Sequence, residues 1–216
     1  ESMRGCDVFV IQPTSNPVNE HFMQLCLILD ALKRSNCWRV TAVLPYFGYA
    51  RQDKKLRPRV PISVKAVADM IQSVGVDRIL TMDLHSNQIQ GYFNCPVDNL
   101  FSSVIFIDHI KATLDNSIVF VSPDVGGVAR VVHFSKKCGA ETAIIHKSRA
   151  KANEVSEMIL LGSVEGKTAI IVDDMIDTAG TLCKAAGLLK DAGAKRILAY
   201  AAHGVLSKNA IRSIED

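Results

Sequence analysis

Apolar residues along this chain come in short, often β-branched runs that alternate with longer stretches of helical spacing. Residues 8–12, 40–44 and 78–82 read as strands, with helices over 18–34 and 62–74 between them. The alternation resumes with strands over 118–121, 142–145, 169–172 and 196–201, and helices over 125–138 and 182–192. Shorter helix-like stretches cover 88–93, 101–114 and 208–216. Asn16-Pro17 predicts the start of the first long helix, with Asn as the cap and Pro in the first turn. Repeated strand–helix alternation predicts an α/β chain of two halves. Each is a largely parallel sheet with right-handed crossovers, flanked by helices, and the boundary falls near Asn99. Two facing domains of this kind would leave a cleft suited to two substrates.

The halves carry an internal repeat. Residues 63–85 and 181–203 align without gaps over 23 positions. Each begins with a hydroxyl residue (Ser63, Thr181) at a helix start and ends that helix at a glycine (Gly75, Gly193) in the C′ position. Each then enters a strand through Arg-Ile-Leu and finishes on histidine (His85, His203). Capping chemistry alone could match by chance, but agreement this long favours duplication.

The most chemical stretch is Thr168-Ala-Ile-Ile-Val-Asp173-Asp174-Met-Ile-Asp177-Thr178-Ala179-Gly180-Thr181. A buried strand runs into carboxylates, then into a turn that opens a helix, at the strand end where open α/β sheets bind ligands. The free N–H groups of that helix start, backed by two threonine hydroxyls, suit a phosphate monoester. Carboxylates repel phosphate, so Asp173 and Asp174 are expected to accept hydrogen bonds from sugar hydroxyls, or to hold a metal through water. The bland alternative is helix capping, yet three carboxylates in five residues is more charge than a cap needs. Together these residues describe a seat for ribose 5-phosphate.

Composition narrows the classes. The 216 residues are 48% hydrophobic, enough for one large core or two small ones. Net charge is only +3 with signs interspersed, which argues against a general nucleic-acid binder. None of the six cysteines forms a C-x-x-C pair, so a zinc knuckle is unsupported, and reduced thiols in a cytoplasmic protein are expected. No apolar run approaches the ~20 residues of a membrane span, and no signal segment opens the chain.

Three further clusters invite chemistry. Residues 46–61 form a long loop in which Arg51, Lys54, Lys55, Arg57 and Arg59 face only Asp53 in opposition. Such a loop is often merely solvated, but aromatic flanks and a strand end suit a polyphosphate. His85 stands beside Asp83 at the end of a strand, where a satisfied polar group and a functional one are evenly matched. Residues 146–154, with Lys147 and Arg149, would pass for a surface turn, or for a cationic flap over the acidic loop.

The acidic loop resembles the phosphoribosyl-diphosphate loop of the type I phosphoribosyltransferase fold. The stretches 51–55, 83–91, 122–127 and 146–149 add a resemblance to ribose-phosphate diphosphokinases along the whole chain, with the motifs in family order. That resemblance implies two duplicated phosphoribosyltransferase-like domains. Residues 1–99 would form an ATP-side domain and 100–216 a ribose 5-phosphate domain, both incomplete against the family. It also implies a reaction: the diphosphoryl group of Mg-ATP passes to the 1-hydroxyl of ribose 5-phosphate, giving 5-phosphoribosyl 1-diphosphate and AMP for nucleotide biosynthesis. Arg51, Gln52 and His85 are then expected at ATP, and His85 with Asp124 at Mg²⁺. Asp124 is the sounder of that pair, because magnesium prefers oxygen. Lys147 and Arg149 would meet the transferring phosphoryl groups, and Arg149, Asp173, Asp174 and 177–181 (Asp177, Thr178, Ala179, Gly180, Thr181) the ribose 5-phosphate. Leu56 departs from the acidic residue some members carry after the Lys-Lys pair. The family assembles as dimers within hexamers. No general base is evident. A nucleobase phosphoribosyltransferase would share the acidic loop but have no use for the 51–55 and 83–90 motifs, and a non-catalytic relative could have changed the flap, where Lys147 and Arg149 are both present.

Overall fold

In a computed structural model, residues 2–114, 117–148 and 157–215 are described. They divide into two compact units, Glu1–Phe101 and Ser102–Asp216.

The first unit is a four-stranded parallel sheet of β1 (Asp7–Ile11), β2 (Arg39–Leu44), β3 (Arg78–Met82) and β4 (Val97–Leu100), in that order. Helix α1 (Val18–Arg34) joins β1 to β2, and α2 (Ser63–Ser73) joins β2 to β3. Val10, Val40, Ala42, Leu44 and Ile79 form one core with Leu25 and Leu29 of α1 and Val64, Ala68 and Ile71 of α2. Strand period two and helix spacings of three and four put these residues on facing surfaces.

The second unit is doubly wound. Its sheet contains β5 (Ile118–Ser122), β6 (Glu141–Ser148), β7 (Glu157–Leu161), β8 (Thr168–Ile176) and β9 (Arg196–Gly204), in the order β7-β6-β5-β8-β9. All pair in parallel except β7, which runs antiparallel to β6. Alternate residues of β5 and β8 serve different layers. Val119, Val121, Ala169 and Ile171 pack with Ala185 and Leu189 of α5 (Gly180–Asp191). Phe120, Ile170 and Val172 pack with Ile107 and Ile110 of α3 (Ser103–Thr113) and Val131 and Phe134 of α4 (Val128–Cys138). A short α6 (Ala210–Glu215) follows β9.

The structure corrects several expectations. Asn16 does not cap α1: Pro17 holds the cap position and no side chain caps it by hydrogen bonding. Residues 88–93 are mainly a 3-10 turn (Asn87–Tyr92). β4 and β7 were not expected. The glycine stops of the repeat are present: Gly75 and Gly193 adopt left-handed φ values of 99° and 83° just beyond α2 and α5.

Candidate active site

β8 outruns one of its neighbours. β5 pairs with it only from Thr168 to Ile171, whereas β9 stays paired through Ile176. Asp173 and Asp174 therefore lie within the strand's projecting end, not in a loop after it as the sequence suggested. From β5 the chain goes to β6 on one side and reaches β8 on the other, so the carboxyl ends of β5 and β8 mark a topological switch point. Asp124 follows β5 there and the 177–179 turn follows β8.

The two carboxylates converge. Asp173 Oδ1 accepts from the Asp174 N–H at 2.9 Å and from Arg130 Nη1 at 3.0 Å, and the same nitrogen lies 3.8 Å from Asp174 Oδ1. Burial first, then the side chain and charge of Asp174, push the Asp173 carboxyl up to about 7. The Asp174 N–H and the Arg130 charge pull the other way. Near neutrality this pair therefore shares its protons between charged and neutral forms, and it can donate as well as accept hydrogen bonds. Arg130 was missed in the sequence. A cation in the third position of a helix opposes the dipole there, and that was the available signal for a carboxylate partner.

The turn that follows leaves backbone N–H groups outside the helix ladder. Ala179 takes a left-handed φ of 62° and is almost fully buried, a conformation that costs a non-glycine residue roughly 1–2 kcal/mol. The first helical bond of α5 runs from Cys183 N to Ala179 O at 2.9 Å, so the N–H groups of Gly180, Thr181 and Leu182 precede the helix's own ladder. Thr178, Gly180 and Thr181 are exposed. From β6, Lys147 Nζ donates to Thr181 Oγ1 at 3.1 Å. Lys147 belongs to a strand and registers with Met158 of β7, where the sequence suggested a turn. Arg149 lies outside the described residues. At the end of β5, Gly127 N–H donates to Asp124 Oδ1 at 3.0 Å in an exposed loop.

The first unit gathers the other candidates. Thr14, fully buried after β1, accepts from the Gly48 N–H at 2.7 Å and donates to Tyr46 O at 3.0 Å, rooting the basic loop. A Cβ on Gly48 would stand 2.4 Å from Thr14 O, so only glycine fits. Arg51 and Gln52 are exposed, and Ser63 Oγ donates to Gln52 Oε1. Asp53 is buried between them and the 3-10 turn: its Oδ2 accepts from Gln88 Nε2 at 3.1 Å and its carbonyl from the Tyr92 hydroxyl. That link brings the 51–53 segment beside the turn after His85. His85 itself is exposed, whereas its repeat counterpart His203 is buried in β9. Thr14 and Asp53 were not singled out from sequence, since a lone threonine and one acid in a basic loop carry no distinctive spacing.

A doubly wound unit with carboxylates and a helix-opening turn at its switch point is an α/β domain of the kind that binds ligands at the carboxyl ends of its strands. Comparison with known proteins narrows that class. Residues 1–75 match the N-terminal domain of ribose phosphate pyrophosphokinase, and residues 98–211 match the phosphoribosyl transferase domain. The whole chain is 53% identical to the ribose-phosphate pyrophosphokinase of Helicobacter pylori, covering 68% of that protein. It is 52% identical to that of Vibrio cholerae, covering 69%. The crystal structure of phosphoribosylpyrophosphate synthetase from Mycobacterium smegmatis superposes with a TM-score of 0.94 at 44% identity, over 99% of this chain and 70% of the other. The chain belongs to the ribose-phosphate pyrophosphokinase family. These enzymes transfer the diphosphoryl group of ATP to the 1-hydroxyl of ribose 5-phosphate, making 5-phosphoribosyl 1-diphosphate and AMP for nucleotide biosynthesis.

Proposed function

We propose that the second unit seats ribose 5-phosphate and supplies the charge that drives diphosphoryl transfer, while the first unit holds ATP. The phosphate monoester accepts hydrogen bonds from the N–H groups and hydroxyls of Thr178, Ala179, Gly180 and Thr181. Asp173 and Asp174 hold the ribose hydroxyls, and their divided protonation suits groups that must both accept and donate. Arg51, Gln52 and His85 hold ATP. The observation that carries this reading is the Lys147–Thr181 contact, which brings a strand-borne cation to the phosphate turn.

The 1-hydroxyl oxygen forms a bond to the β-phosphorus of ATP and gives up its proton to water, and the bond from that phosphorus to the α–β bridging oxygen breaks, so AMP leaves. Transfer of this type depends on in-line positioning and charge neutralisation. Lys147 and Arg149 offset charge on the transferring phosphoryl oxygens. Magnesium fits the donor set: Asp124 offers one exposed carboxylate anchored through a single oxygen, and Mg²⁺ takes one or two carboxylates beside substrate phosphates and water. Among the described residues no group of three or more His, Cys, Asp or Glu could cage a metal, which suits an ion that arrives with ATP. Asp124 would hold it. When bound, it supplies charge neutralisation and polarisation at the phosphates.

Six free cysteines support a reducing, cytoplasmic setting, and among the described residues no helix is long and apolar enough to cross a membrane. Self-association as dimers within a hexamer follows from the family resemblance. Incubating the protein with ATP and ribose 5-phosphate and separating AMP from ADP tests the reaction. AMP formed in step with the sugar diphosphate supports it, and ADP alone overturns it.

A further inference from the structure

Asp177 poses an electrostatic problem at the proposed seat. It is a carboxylate at the start of a turn offered to a phosphate dianion, and like charges at that range repel. The segment after β9 resolves it. Ser207 Oγ donates to Asp177 Oδ1, and Ser207 N–H donates to Asp177 O at 3.0 Å. Leu206 N–H donates to Ile176 O at 3.0 Å.

These bonds fix directions as well as distances. In a planar trans peptide the C=O and the following N–H point opposite ways. With the Ile176 and Asp177 carbonyls turned toward 206–207, the N–H groups of Asp177 and Thr178 point away from that segment. Ser207 is itself held in place. Leu206 and Lys208 on either side take left-handed φ values of 48° and 56°. Beyond them α6 is fastened by the buried Ala210 and by Cys183 Sγ, 3.0 Å from Ser213 O.

We infer that Ser207 is a positioning residue for ribose 5-phosphate. It draws the Asp177 carboxylate out of the phosphate turn and fixes the peptide that aims the Thr178 N–H. The inference rests on the reading of 177–181 as the phosphate seat.

The test is steady-state kinetics of Ser207→Ala, Ser207→Thr, Asp177→Ala, the Ser207→Ala/Asp177→Ala double variant and, as a control on the seat, Thr181→Val. Loss of one charge-assisted hydrogen bond predicts about a tenfold rise in KM for ribose 5-phosphate in Ser207→Ala, with kcat and KM for ATP nearly unchanged. Ser207→Thr keeps the hydroxyl and restores the wild-type KM. In the Asp177→Ala background, Ser207→Ala adds little, because the charge it controls is gone. An unchanged KM in Ser207→Ala, an equal rise for both substrates, or a full tenfold effect in the Asp177→Ala background each overturns the clamp. Thr181→Val separates the two failures. If it leaves KM for ribose 5-phosphate unchanged, the seat itself is misplaced and the clamp falls with it. If it raises that KM while Ser207→Ala does not, the clamp alone is wrong.

Discussion

Lys147 Nζ donates to Thr181 Oγ1 at 3.1 Å, joining the β6 strand end to the first turn of α5 across 34 positions of sequence. A cation placed there meets whatever anion the turn accepts.

If Lys147 offsets charge that develops during transfer, Lys147→Ala should lower kcat by ~100-fold or more. Ribose 5-phosphate binding should weaken only several-fold. Comparing kcat with a binding constant from calorimetry checks this, and a variant within a few-fold of wild-type kcat would leave Lys147 a mere surface contact.

Asp177→Ala should impair ribose 5-phosphate use and spare ATP, because Asp177 orders the turn through Ser207. Arg51→Ala should do the reverse. Titrating each variant with each ligand decides the matter, and equal losses for both ligands would mean the residues have been assigned to the wrong halves.

Gly48→Ala forces a Cβ to within 2.4 Å of Thr14 O, a backbone atom that cannot swing aside. Overpacking of this kind costs ~1–3 kcal/mol. Displacing the root of the 46–52 segment should raise KM for ATP while ribose 5-phosphate binding holds. A melting temperature and an ATP KM both equal to wild type would show that the loop tolerates the methyl group.

Asp173 sets a pH dependence in the ligand-free protein. Its folded-state value is raised from 3.8 to about 7, so its contribution to stability is fully present below pH ~4 and is lost as pH rises through about 7. Melting temperature should fall across that window by a few degrees. Asp173→Asn should flatten the fall, and Arg130→Gln, which removes a charge favouring the ionised form, should steepen it. Parallel melting-temperature profiles for all three proteins between pH 4 and 8 would remove the coupling to Asp173.

Much of the frame was readable because a few residues speak for whole elements. Gly75 and Gly193 announced two helix ends, and the β-branched run before Asp173 announced a buried strand. β4 was hidden because Val97-Asp98-Asn99-Leu100 neither alternates nor runs apolar, its pairing being imposed by β3. β7 is a short edge strand whose place comes from its antiparallel register with β6. At the site, motif residues were legible through their chemistry and supporting residues were not. Arg130, Ser207 and Asp53 act through contacts 43, 30 and 35 positions away, and local pattern does not encode such distances.

The unequal lengths of β5 and β8 divide the work of the site. On the proposed assignment, sugar recognition rests on a strand end whose one flank is bolted into the sheet through Ile176 and whose other flank is paired only to Ile171, so its shape is set when the domain folds. On that assignment the transferring charge of Lys147 comes from a different strand, β6. Affinity for the acceptor and speed of transfer would thereby be lodged in different pieces of backbone. On that assignment a lineage, or a designer, could retune turnover at the end of β6 without disturbing which sugar is held.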